Sequence, residues 1–128
     1  GEIHVHRVSA LGVERVSEGA GVHSAVRGGP LTVLSTATTD AFGTTYRVLR
    51  DGEEIARLAS YAETPGLTPR PVLTTGGARG IPCAVLLPSW YREEEGPLPV
   101  LMDPYGGPHG QRVVAARNPH LTSQWFAE

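Results

Sequence analysis

The chain has 128 residues, 40% of them hydrophobic, with 13 acidic against 11 basic side chains and a formal net charge of −2. A near-neutral balance without a basic stripe argues against nucleic acid as a partner, and the single cysteine, Cys83, excludes a disulfide within this sequence. No apolar stretch approaches the roughly 20 residues of a membrane-spanning helix.

The first half reads as short strands separated by turns. Ile3, Val5 and Val8 alternate against His4 and His6, and Gly12 interrupts the pattern before Val13-Glu14-Arg15-Val16. Leu31 to Ala37 predicts a third strand. Thr45 to Arg50 then meets Asp51-Gly52, a strong hairpin signal, and Glu53 to Leu58 returns. Strands at this spacing suit the antiparallel sheets of a β-propeller or of a generic β-sandwich.

The closely spaced prolines of Thr64-Pro65-Gly66-Leu67-Thr68-Pro69-Arg70-Pro71 favour an extended linker and mark a boundary between residues 1–66 and 67–128. Beyond it, Pro71 to Thr75 and Ile81 to Leu87 predict two strands joined by the turn Gly76-Gly77-Ala78-Arg79-Gly80. Cys83 lies among apolar neighbours and reads as a small buried hydrophobe. Glu93-Glu94-Glu95 reads as a solvated turn.

Leu98 to Met102 predicts a buried strand that delivers Tyr105 into the turn Asp103-Pro104-Tyr105-Gly106-Gly107-Pro108-His109. Gly106 and Gly107 are expected to supply positive φ and close approach of a substrate. A helix follows, with Asn118 as N-cap, Pro119 at the first helical position, and Leu121, Gln124 and Trp125 at helical spacing.

The phrase Asp103-Pro104-Tyr105-Gly106-Gly107-Pro108-His109-Gly110-Gln111-Arg112-Val113 resembles the start of the catalytic domain in the dipeptidyl peptidase IV branch of the prolyl oligopeptidase family of serine peptidases. Pro82-Cys83-Ala84-Val85-Leu86-Leu87-Pro88 and Pro97-Leu98-Pro99-Val100-Leu101 share the likeness, which covers residues 67–128. The resemblance implies a mixed fold: residues 1–66 as the C-terminal part of a β-propeller, and 67–128 as the first strands and helix of an α/β-hydrolase domain. It implies peptide substrates, a Ser-Asp-His triad, no metal or organic cofactor, and a full-length enzyme that could be a homo-oligomer. It also implies that Tyr105 donates a hydrogen bond to the oxyanion. The bland alternative for Tyr105 is an aromatic ring capping the core beneath a turn.

No G-x-S-x-G elbow occurs, and the triad order of the fold places serine, aspartate and histidine after this loop. The sequence is therefore expected to be an inactive fragment of a longer enzyme. Asp103 and His109 precede any nucleophile. Asp103 is expected to cap or hydrogen-bond the loop, and His109 to shape it or edge a pocket, while Arg112 and Arg117 could pair with a substrate or a neighbouring domain. The family's amine-binding glutamate pair lies well before the catalytic domain, so Glu93-Glu94-Glu95 is not that pair. His4 and His6 share a strand face but lack a completing ligand, and solvent-facing side chains are the expectation. An acylaminoacyl peptidase or esterase of the same fold, and a non-catalytic propeller-based binding module, stand as alternatives. Localisation stays open, with the cytoplasm slightly favoured.

Overall fold

A computed structural model describes residues 1–128. The chain is mostly antiparallel β-structure with one short helix. Strands β1 (His6–Ser9) and β2 (Gly12–Arg15) form one hairpin, and β7 (Val72–Gly76) and β8 (Ile81–Val85) form another. Between them lies a four-stranded meander, β3 (Val22–Gly28), β4 (Leu31–Ala37), β5 (Thr45–Arg50) and β6 (Glu53–Leu58), each strand paired with its neighbour in sequence.

The β5–β6 turn forms as the sequence predicts. Asp51 at φ 53° and Gly52 at φ 90° give the two left-handed residues of a type I′ turn, which matches strand twist and sets Arg50 opposite Glu53. The sequence pattern predicts no strand at β3. Its alternation is broken by His23, Ser24 and Arg27, yet it pairs with β4 along its whole length, from Val22 opposite Ala37 to Gly28 opposite Leu31. Leu34, in the middle of β4, is 1% exposed; the other buried apolar side chains are Leu49 and the run Val114-Ala115-Ala116.

The N-terminal segment runs beside β3. Ile3 N–H donates to Gly21 O at 3.1 Å and His23 N–H donates to Ile3 O at 2.9 Å, making a parallel bridge. Gly21 sits at φ 143°, and a Cβ there would stand 2.6 Å from Ala37 O, so glycine is required where the chain enters the sheet. At the other end, Arg117 stitches residues 113–118 to the β4–β5 connection. Its N–H donates to Thr38 O at 2.9 Å, its Nε to Thr39 O at 2.8 Å, and its guanidinium lies 5.0 Å from the Phe42 ring centroid. Arg117 thus pairs within the chain, and with backbone.

Three expectations are corrected. Leu98 to Met102 forms no strand, and Val100, Leu101 and Met102 are 84%, 70% and 79% exposed. The run has the residues of a core strand, but no strand of this chain lies alongside it, and a single strand without a ladder leaves its backbone to water. Asn118 does not cap the helix. It begins a 3₁₀ turn, Asn118–His120, and its Oδ1 accepts from Gly43 N–H at 3.1 Å, so the side chain that would cap is spent on the β4–β5 connection. Helix α1 (Leu121–Ala127) then buries Gln124, while Trp125 and Phe126 stack edge-to-face and stay exposed. Cys83 is half-buried rather than enclosed, with Sγ donating to Ile81 O at 3.3 Å, because a two-stranded hairpin has no second layer to cover it.

Candidate functional site

Tyr105 stands on a loop whose residues from Pro99 to Arg112 are all exposed. The ring is 45% exposed, so it caps no core. It folds back over Gly107, where an added Cβ would meet Tyr105 Cζ and Oη at 2.9 Å. Neither Gly106 nor Gly107 has positive φ, which corrects the expected role of both. Gly107 serves by close approach, since the ring occupies the space of its missing side chain, and Gly106 faces open space.

Asp103 and Arg112 close this loop. Arg112 Nη1 donates to Asp103 Oδ1 at 3.1 Å and Nη2 to Oδ2 at 2.6 Å, a bidentate pair. These hydrogen bonds, with the carboxylate charge behind them, raise the pKa of Arg112 above its ordinary value and keep it cationic. Its Cζ lies 5.6 Å from the Tyr105 ring centroid, within cation–π range. Asp103 thus bonds across the loop, as its position before the turn suggests. His109 is exposed and makes no hydrogen bond or ion pair. Tyr105, Gly107, Asp103 and Arg112 are gathered together; Gly106 and His109 share the loop without touching that cluster.

A second polar cluster lies beneath the N-terminal segment. His4 Nε2 contacts Glu2 Oε2 at 2.8 Å and His4 Nδ1 contacts Ser17 Oγ at 3.1 Å. By distance this is a carboxylate, imidazole and hydroxyl in line. Ser17 is 2% exposed, however, and its Oγ accepts from Val5 N–H at 3.1 Å, so no substrate reaches it. The cluster fastens the N-terminal segment to the turn after β2. His4 also stacks on His23, with centroids 5.2 Å apart, which corrects the expected solvent-facing His4; His6 is exposed. His23 is 3% exposed, receives or gives one hydrogen bond at Nδ1 to Thr36 Oγ1 at 3.0 Å, and leaves Nε2 unpartnered. Burial lowers its pKa from 6.5; the Gly19 carbonyl opposes this, and the charges of His4, Arg15 and Arg47 add to it.

No group of three or more His, Cys, Asp or Glu side chains converges to hold a metal. Two clefts lie apart from Tyr105, one lined by Leu67, Leu121, Thr122 and Trp125, the other between the ends of β3 and β4 and Val114, Ala116, Asn118 and Pro119. No helix is long and apolar enough to cross a membrane. No protein-family model matches the chain, and neither does a curated protein or a solved structure. The residues themselves define an antiparallel β-chain that carries an exposed tyrosine loop closed by an ion pair.

Proposed function

We propose that this sequence is part of a serine-type peptidase of the prolyl oligopeptidase family, nearest its dipeptidyl peptidase IV branch, spanning the end of a β-propeller and the start of an α/β-hydrolase domain. The observation that carries the reading is the phrase Asp103-Pro104-Tyr105-Gly106-Gly107-Pro108-His109 on an exposed loop, with its tyrosine reachable by a substrate. The sequential four-stranded meander β3–β6 supports it, having the strand order of a propeller blade. So does the surface: 9576 Å² is accessible, against about 6,600 Å² for a folded monomer of this mass, as for a chain that packs against further protein.

In the full-length protein a serine attacks the peptide carbonyl, a histidine moves its proton, and an aspartate orients that histidine. All three lie outside this sequence. Negative charge gathers on the carbonyl oxygen, and the Tyr105 hydroxyl donates a hydrogen bond that strengthens as it does so. Peptides reach the site between the two domains, and the chemistry calls for no metal or organic cofactor. The test is hydrolysis of a chromogenic dipeptidyl amide with proline before the cleaved bond. Tyr105→Phe in the full-length protein is expected to lower kcat by about 10² to 10³ with KM little changed. A protein with an intact triad that cleaves neither peptide nor ester overturns the reading.

A further inference from the structure

The loop around Tyr105 has few means of holding its shape. Residues 97–112 make no backbone–backbone hydrogen bond, and the only side-chain hydrogen bonds within them are the two from Arg112 to Asp103. A tyrosine that must meet a developing charge needs a fixed direction, because misplacement by an ångström can cost about 10²-fold in rate. We propose that Arg112 is the positioning residue of Tyr105: clamped at both Nη atoms by Asp103, it closes the loop and holds the phenol ring against its guanidinium, where the bare backbone of Gly107 leaves the ring room.

The inference rests on the oxyanion role proposed for Tyr105, and three features of the geometry support it. The fork-to-fork pair fixes both the distance and the plane of the guanidinium, which a point charge on lysine would not. The cation lies 5.6 Å from the centroid of the ring, where its attraction to the aromatic face favours one ring orientation. Gly107 receives the ring at a distance that any side chain would deny. An exposed ion pair adds little to global stability, so removing it is expected to leave the sheets intact.

The test has two arms. In the full-length protein with labelled tyrosines, the Tyr105 ring signals are assigned by Tyr105→Phe and followed by NMR in Arg112→Gln, Asp103→Asn and Arg112→Lys. Arg112→Gln and Asp103→Asn are expected to move the Tyr105 signals alike, and Arg112→Lys to move them partway. The signals of Tyr46, Tyr61 and Tyr91 are expected to stay in place, which separates loss of position from loss of fold. Tyr105 signals unmoved in Arg112→Gln overturn the proposal. In the full-length protein, Arg112→Gln is expected to lower kcat by about 10-fold to 10²-fold with KM within twofold, and Tyr105→Phe/Arg112→Gln to fall no further than Tyr105→Phe. Additive losses in the double variant, or an unchanged kcat in the single one, overturn it. A full-length protein that hydrolyses no peptide or ester removes the peptidase reading alone, and the ring signals then decide whether Arg112 positions Tyr105.

Discussion

Gly107 and Gly106 are adjacent and chemically identical, but only one is load-carrying for the tyrosine. A methyl group on Gly107 would stand 2.9 Å from the Tyr105 ring, whereas one on Gly106 meets nothing within 4 Å, and neither residue is in the left-handed region. Gly107→Ala is therefore expected to displace the ring and, in the proposed full-length peptidase, to lower kcat by about 10-fold, while Gly106→Ala is silent in the same assay. At His23 the expected effect is on stability. Burial lowers the pKa of the imidazole from 6.5, so between the folded value and 6.5 the unfolded chain binds the extra proton. The stabilisation is complete above pH 6.5 and is lost as pH falls below it. Urea unfolding across pH 5 to 7 is expected to show this loss, and His23→Gln to flatten it; an equal slope in both proteins contradicts the assignment. Tyr105 is singled out in the sequence by the distinctive phrase that its neighbours form. The clamp is not, since Asp103 and Arg112 sit in a loop with no periodicity to predict which charges meet.

Among the elements, α1 turns on a polar residue. Gln124 is 2% exposed; its Nε2 donates to Leu87 O at 2.8 Å, and its Oε1 accepts from Arg70 N–H at 3.1 Å. One side chain thereby ties the helix to the linker and to the end of the second hairpin. Gln124→Leu, close in shape, leaves both backbone groups without that partner and is expected to cost about 1–3 kcal/mol in urea unfolding. Helical spacing finds Leu121, Gln124 and Trp125, but it ranks them by hydropathy and so favours the tryptophan that the structure leaves in solvent. β5, β6 and their turn were legible because Asp51-Gly52 specifies its own geometry. β3 was obscured by His23, Ser24 and Arg27, whose partners across the sheet, Thr36, Ser35 and Thr32, are visible only once the register is known. The run Leu98 to Met102 shows the converse: its composition is that of a strand, but a strand also needs a neighbour.

For the molecule as a whole, the shortage of burial is the governing quantity. Eleven of 128 residues are buried, and the accessible surface exceeds the value expected for a folded monomer by about 3,000 Å². That excess on one chain exceeds the roughly 1,000–2,500 Å² that each partner loses in a typical obligate interface. The exposed apolar side chains include Val100, Leu101, Met102, Trp125 and Phe126, with others on β6 and on the first hairpin. Such surface in water attracts either another protein layer or another copy of itself. The 128-residue chain by itself is accordingly expected to bind a fluorescent apolar dye strongly and to sediment as concentration-dependent oligomers. Replacing Val100, Leu101 and Met102 together with serine is expected to reduce both signals without altering the β-sheet circular dichroism, because these residues belong to no sheet. If the triple variant loses its β signal as well, the run contributes to the fold in solution, and the reading of it as a surface awaiting a neighbouring strand fails. A monomer that binds no dye would mean that the chain covers this surface itself, which would remove the support that its area gives to a larger peptidase assembly.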